Sequence, residues 1–136
     1  MNRFENKVVL ITGSGGGLGR ASALRFVEEG ARVVIADIDL ESAQAVADEI
    51  GSQAKAVKAD VTSFDDCKDM VQTAQDTYGQ LNVVFANAGV GGNKTEFVDM
   101  SIEEWDRVVD VNLRGMMLTC KASVPAMIEA GGGALV

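Results

Sequence analysis

Three short, nearly uninterrupted apolar runs, separated by helical patterns, constrain the fold of this chain more than any other feature. We predict them as strand 1, strand 2 and strand 4, at residues 7–12, 32–37 and 81–86. A strand is apolar along its whole length when both faces of its sheet are covered. Because helical patterns alternate with the strands, the strands should pair in parallel through right-handed crossovers. The predicted fold class is therefore a doubly wound α/β sheet.

The remaining elements follow from apolar periodicity and from helix-capping residues. Asp39, Ser63 and Ser101 are the expected N-caps, because short polar side chains accept hydrogen bonds from free N–H groups at a helix start. Gly30 is expected to end the first helix. The predicted helices span 18–29, 40–50, 64–78 and 102–130, and a weak strand 3 spans 54–58.

Length and charge limit the possible functions. The chain has 136 residues, of which 47% are hydrophobic, and it carries a net charge of −8. These values predict one folded domain over residues 1–136, and the negative charge argues against nucleic acid and anionic membranes as partners. No apolar run approaches membrane-spanning length, and the N-terminus lacks a signal-peptide core.

Cysteine and histidine usage narrows the chemistry. Cys67 and Cys120 each fall on the apolar stripe of a predicted helix, which is typical of reduced core cysteines in a cytoplasmic protein. The chain has no histidine. This argues against Ser-His nucleophilic chemistry and most zinc sites, and we predict no metal site.

A glycine-rich segment joins strand 1 to the first helix. It fits the spacing Thr12-Gly13-x-x-x-Gly17-x-Gly19, whereas G-x-G-x-x-G fails because its last glycine would fall on Leu18. Glycines let a backbone turn sharply near a ligand, and the following helix N-terminus attracts a pyrophosphate. The alternative interpretation is a plain flexible turn.

Asp37 strengthens the ligand-binding interpretation. It ends strand 2, eighteen residues after Gly19. In dinucleotide-binding units, an acid at this place accepts hydrogen bonds from the adenosine ribose. Asp37 could instead cap the next helix, but Asp39 is better placed to do so.

With these motifs the chain resembles the classical short-chain dehydrogenases/reductases. The glycine spacing matches that family's cofactor loop, Asp60-Val61 matches its adenine-contacting pair, Asn87-Ala88-Gly89 matches its Asn-Ala-Gly turn, and Asn112 matches the asparagine of its catalytic tetrad. The resemblance implies a Rossmann-type sheet, an NAD cofactor, and hydride transfer between an alcohol or ketone substrate and nicotinamide. It implies cofactor contacts from Gly13, Ser14, Gly17, Leu18, Gly19, Asp37, Ile38, Asp60, Val61, Asn87, Ala88 and Gly89, and a catalytic role for Asn112.

The rest of the family's tetrad, a serine and a Tyr-x-x-x-Lys pair, has no match in this sequence. The only tyrosine is Tyr78, and Asn82 stands four residues later. The sequence stops at Val136, inside the predicted strand 5. We therefore expect a C-terminally incomplete domain that is inactive alone. Because only three residues of strand 5 remain to pair with strand 4, strand 4 should have an almost open, hydrophobic edge.

The last helix is apolar on two sides, which predicts burial between two partners. One partner is the sheet, and the other is a neighbouring helix or a second subunit; the resemblance implies a homo-oligomer formed through this helix. We expect Asn112 near the interior, either bonded to the backbone or holding a water in a proton relay. The first stripe comprises Ile102, Trp105, Val109, Leu113, Met116, Cys120, Val124 and Met127, and the second comprises Val108, Val111, Gly115, Leu118, Ala122 and Ala126.

The leading hypothesis is the cofactor-binding half of an NAD-dependent oxidoreductase. NAD is expected over NADP, because Asp37 would repel a 2′-phosphate and neither Gly16 nor Ile38 supplies a compensating positive charge. One alternative is a non-catalytic dinucleotide-binding module. Another is a methyltransferase, against which Asn87-Ala88-Gly89 and the pattern around Asn112 argue. The sequence does not indicate which alcohol or ketone would be the substrate.

Overall fold

The computed structural model describes residues 2–136 and contains a five-stranded parallel sheet with the strand order β3-β2-β1-β4-β5. The strands are β1 (Val8–Thr12), β2 (Arg32–Asp37), β3 (Ala54–Lys58), β4 (Val83–Phe85) and β5 (Ala134–Leu135). The helices are α1 (Gly17–Glu28), α2 (Leu40–Ile50), α3 (Phe64–Tyr78), α4 (Ile102–Val109) and α5 (Gly115–Glu129). The predicted doubly wound α/β class is confirmed.

Alternate residues of the central strand face opposite layers of helices. Val8 and Leu10 of β1 pack with the buried residues of α3 and α5, such as Met70. Val9 and Ile11 pack with the buried residues of α1 and α2. Both faces of the sheet are thus covered, which explains why the predicted strands are apolar at every position.

The predicted helix starts are confirmed by their caps. Asp39 accepts a hydrogen bond from Glu41 N, Ser63 from Asp66 N, and Ser101 from Glu104 N. Each cap satisfies an N–H group that has no partner within its own helix.

Strand 4 differs from the prediction in length. It covers three residues instead of six, since Asn82 directs its side chain into the sheet and accepts a hydrogen bond from Val8 N at 2.9 Å. Its outer edge pairs with the short β5, where Ala134 N donates to Asn82 O and Val136 N donates to Val84 O. The open edge of the sheet is that of β5, where Leu135 is 43% exposed.

The long last helix is interrupted by a π turn over Asp110–Arg114. A π turn adds a residue to one turn of the helix and so shifts the faces that follow it. No residue of α4 is buried, whereas α5 buries Gly115, Leu118, Ala126 and others against the sheet and α3. The second apolar stripe therefore faces the protein from Gly115 onward, while most of the first stripe, including Trp105 and Leu113, remains exposed.

The two cysteines are free thiols, as predicted, with Cys67 fully buried and Cys120 half-buried. In the part of the chain that is described, no helix has the length and hydropathy needed to cross a membrane.

Candidate functional site

The strand order reverses between β1 and β4, and a cavity opens at the carboxyl ends of these strands. In open α/β sheets this reversal point is where ligands bind, because the connections leave in opposite directions and a crevice forms between them. The cavity measures about 370 Å³ and is lined mainly by the β1–α1 loop, the end of β2, and the segments that follow β3 and β4.

The β1–α1 connection needs glycine at position 13, in the loop, and at position 19, in the first turn of α1. Gly13 has φ +62°, and a Cβ there would lie 2.8 Å from Ala88 Cα. A Cβ on Gly19 would lie 2.5 Å from Gly13 O, so a side chain would push α1 away from the loop. Ser14, which is fully buried between them, donates from its hydroxyl to Ile11 O at 2.7 Å and so fixes the turn.

The start of α1 has no side-chain cap, unlike the starts of α2, α3 and α4. Its N-cap is Gly16, and its first turn contains no acidic residue. A Cβ on Gly16 or Gly17 would meet no atom within 4 Å, and both residues line the cavity. Free N–H groups and the positive end of the helix dipole are therefore presented to an open space.

Asp37 lies at the edge of the same cavity, at the end of β2. Its Oδ2 accepts from Gly15 N at 2.9 Å, and its Oδ1 accepts from Asp39 N at 3.0 Å. An ionised carboxylate has about four acceptor positions, so each oxygen can take a further donor. The two backbone bonds hold the carboxylate in place without saturating it.

Asp60 and Val61 follow β3 and form another wall of the cavity. Asp60 Oδ1 accepts from Thr62 N at 2.9 Å and from Thr62 Oγ1 at 2.7 Å. Among the described residues the Val61 N–H has no hydrogen-bond acceptor, although Val61 is only 8% exposed. A buried donor of this kind favours a ligand that supplies an acceptor.

Asn87 connects the end of β4 to the glycine loop. Its Nδ2 donates to Thr12 O at 3.0 Å and to Gly13 O at 3.1 Å. Ala88 N donates to Thr12 Oγ1 at 3.0 Å. The two strands on either side of the reversal point are thereby fixed to one another at the floor of the cavity.

The segment after Gly89 is held by the last helix. The side-chain amide of Asn112 bonds to both the N–H and the C=O of Val90, and Arg107 Nη2 donates to Gly91 O at 3.0 Å. Glu104 accepts a hydrogen bond from Asn93 N. Asn112 itself is exposed instead of interior, because the whole of α4 and the π turn lie outside the core.

The structure brings most of the predicted binding residues together around the cavity. Ser14, Gly19 and Asn112 do not line it. Ser14 and Gly19 shape the glycine loop, and Asn112 lies beside Gly89 and bonds to Val90, which both line the cavity. The predicted residues that line the cavity are Gly13, Gly17, Leu18, Asp37, Ile38, Asp60, Val61, Asn87, Ala88 and Gly89.

Sequence reasoning did not identify Gly16, Ala59, Val90 and Val111 as lining residues. The sequence signal that could have identified them is that each is adjacent to a predicted site residue: Gly17, Asp60, Gly89 or Asn112. To predict that Val90 and Val111 line the cavity, one must also know how the last helix packs. A helical periodicity of about 100° per residue does not give this packing, because the π turn shifts the helix faces.

Known proteins with related sequences and structures agree with this geometry. A model of the short chain dehydrogenase family matches residues 7–136. Cyclohexanol dehydrogenase from Acinetobacter sp. (strain SE19) is 46% identical over 138 residues, which cover 99% of this chain and 55% of that protein. The chain thus spans about half the length of this relative.

Two crystal structures from Brucella melitensis share the fold. A 3-ketoacyl-(acyl-carrier-protein) reductase complexed with NADH matches with a TM-score of 0.91 and 41% identity, covering 94% of this chain and 53% of the other. A short-chain dehydrogenase/reductase described as glucose/ribitol dehydrogenase matches with a TM-score of 0.86 and 36% identity, covering 90% and 52%. The sequence match over residues 7–136 and the shared sheet together show that this chain belongs to the short-chain dehydrogenase family.

Proposed function

We propose that residues 1–136 form the dinucleotide-binding domain of an NAD-dependent oxidoreductase that acts on an alcohol or a ketone. The observation that carries the proposal is the uncapped start of α1, which opens on the same cavity as the partly unsaturated carboxylate of Asp37. A positive helix end beside a ribose-binding acid suits the pyrophosphate and adenosine of a dinucleotide.

Each part of the cavity suits a part of that cofactor. The N–H groups at Gly16 and Gly17 would hold the pyrophosphate, and Asp37 would accept from the ribose hydroxyls. Asp60 and the Val61 N–H would receive the adenine. Leu18 and Ile38, which are 68% and 62% exposed at the cavity, would provide its apolar rim.

When bound, the nicotinamide would supply the chemistry, the exchange of a hydride with the substrate carbon. The chain's own residues would fix the floor of the cavity through Asn87 and one wall through Asn112. Asn112 keeps one further donor and one further acceptor on its amide, so a contribution to proton transfer is compatible with its bonds to Val90.

NAD is the proposed cofactor in preference to NADP. A 2′-phosphate on the ribose would meet the Asp37 carboxylate, and two like charges at close range repel each other. The neighbours Gly16 and Ile38 offer no positive charge to offset this repulsion. The NADH complex of the Brucella reductase supports a nicotinamide dinucleotide in this type of site.

A homo-oligomer formed through residues 102–130 is also proposed. Ile102, Trp105, Leu113 and Met116 of the first stripe are between 47% and 72% exposed, an apolar surface that a second copy could cover. A cytoplasmic location stays a prediction from cysteine usage.

Isothermal titration calorimetry with NAD, and separately with S-adenosylmethionine, tests the proposed function. The chain should bind NAD and not S-adenosylmethionine. Binding of S-adenosylmethionine alone would favour the methyltransferase alternative, and binding of neither would contradict a dinucleotide-binding domain.

A further inference from the structure

The turn that follows β3 is fixed by a carboxylate that does not line the cavity. Asp66 lies in the first turn of α3, and its Oδ2 accepts from Asp60 N at 2.9 Å. Its Oδ1 accepts from the Ser63 hydroxyl at 2.9 Å, while Ser63 Oγ accepts from Asp66 N at 3.2 Å. In a standard capping box the acid would bond to the backbone N–H of the cap residue, Ser63. Here it reaches past Ser63 to the turn.

The other contacts of the turn leave its two ligand-facing groups available. Thr62 holds only Oδ1 of Asp60. The carbonyl of Val61 is contacted by the Cys67 thiol at 3.5 Å, and Ser63 N donates to Asp60 O at 3.0 Å. Among the described residues, neither Asp60 Oδ2 nor the Val61 N–H has a hydrogen-bond partner, and both residues line the cavity.

The carboxylate form of Asp66 is stabilised in this place. The Asp60 N–H and then the Ser63 hydroxyl lower the pKa of Asp66, so it is ionised at neutral pH. An ionised acceptor makes the stronger, charge-assisted type of hydrogen bond to a backbone N–H. Burial raises the pKa of the Cys67 thiol, which stays protonated and able to donate to Val61 O.

The Asp60 N–H is connected to α3 by the side chain of Asp66. Asp60 lies three residues before the helix cap, so without Asp66 its N–H would have no bond to the helix. We propose that Asp66 is a positioning residue for cofactor recognition, which holds the Asp60–Val61 turn in the conformation that receives an adenine ring. This inference rests on the proposed function, in which that turn contacts the adenine.

Titration of the 136-residue chain with AMP, which contains the adenine and its ribose, tests the inference. Asp66→Ala should weaken AMP binding by about threefold to tenfold, the usual coupling within one hydrogen-bond network. Asp66→Asn should restore it, because an amide oxygen can accept from Asp60 N while the NH₂ group donates to Ser63 Oγ. If Asp66→Ala is unfolded at the assay temperature, Asp66→Ser replaces it, since its hydroxyl is too short to reach Asp60.

Ser63→Ala is the matched control. It removes the helix cap but leaves the bond between Asp66 and Asp60, so it should lower the midpoint of thermal unfolding and keep the AMP affinity within about twofold. Equal AMP affinity in wild type and Asp66→Ala would overturn the inference, as would an equal loss in Ser63→Ala and Asp66→Ala. Absence of AMP binding by the wild-type chain would contradict the proposed function itself, and the inference with it.

Discussion

Asn112 and Val90 pair like neighbouring residues of a sheet, although one partner is a side chain. Asn112 Oδ1 accepts from Val90 N at 2.8 Å, and Asn112 Nδ2 donates to Val90 O at 2.9 Å. The amide thus replaces a backbone peptide and holds the segment that lines the cavity after Gly89. Asn112, the residue that we predict to be the tetrad asparagine, therefore has a structural task in this chain.

Asn112→Ala should destabilise the chain and release this segment. Loss of two hydrogen bonds at an exposed site should lower the free energy of unfolding by about 1 kcal/mol, and the Val90 amide should lose protection from hydrogen exchange. Leu113→Ala, at a 67% exposed neighbour, is the control and should leave Val90 protection unchanged. Unchanged exchange at Val90 in Asn112→Ala would show that the segment is held by other contacts.

Gly13→Ala and Gly16→Ala should separate folding from binding. An alanine at position 13 must adopt φ +62° and approach Ala88, which should cost about 2 kcal/mol or more of stability. An alanine at position 16 meets no atom and should leave the urea midpoint unchanged while weakening NAD binding, because its methyl group enters the cavity. Normal NAD affinity in Gly16→Ala would remove this glycine from the proposed pyrophosphate site.

Asp37→Ala should narrow the preference for NAD over NADP by about tenfold or more, since it removes the charge that would face the 2′-phosphate. Asp48→Ala changes the net charge equally at an exposed position on α2 and should leave the ratio of the two dissociation constants unaltered. A wild-type chain that binds NAD and NADP equally would contradict the proposed selectivity.

Glu29 should make stability depend on pH. It is 3% exposed and bonds to the guanidinium groups of Arg3 and Arg25, and the hydrogen bond from Arg3 is the main cause that lowers its pKa. Because the folded-state pKa of Glu29 is lower than its unfolded-state value of about 4.3, the ionised carboxylate stabilises the folded state above that pH. This stabilisation is lost as the pH falls from about 4.3 through the folded-state pKa. The difference in urea midpoint between wild type and Glu29→Gln should therefore be larger at pH 7 than at pH 3.

The 136-residue chain alone should not oxidise cyclohexanol with NAD. Proton transfer needs a positioned group with a matched pKa. The single tyrosine, Tyr78, does not line the cavity, and burial raises the pKa of its hydroxyl. NADH formation is measured by absorbance at 340 nm. Activity that copurifies with the chain and exceeds a no-protein control would contradict this prediction.

The sequence predicts the sheet and its caps well because these depend on local chemistry. β2 and β3 have the predicted bounds, and Asp39, Ser63 and Ser101 cap helices as expected. Apolar continuity and short polar caps act within a few residues, so they can be recognised without knowledge of the fold.

The sequence did not predict features that depend on contacts between distant residues. The π turn at Asp110–Arg114 coincides with the bond from Asn112 to Val90, and the short β4 reflects the bond from Val8 to Asn82. The bond from Asp60 N to Asp66 also differs from a standard capping box. In each case a side chain bonds to the backbone of another element, a choice that periodicity and propensity do not encode.

The most direct test of the central claim is a ¹H–¹⁵N NMR titration of the chain with NAD. If the cavity at the end of β1 and β4 is the cofactor site, the amide signals of Gly16, Gly17 and Val61 should shift with one common dissociation constant, whereas Leu113 and Ile128 on the exposed helix face should not. Shifts confined to the helix face, or no saturable shift at Gly16, Gly17 and Val61, would contradict the claim.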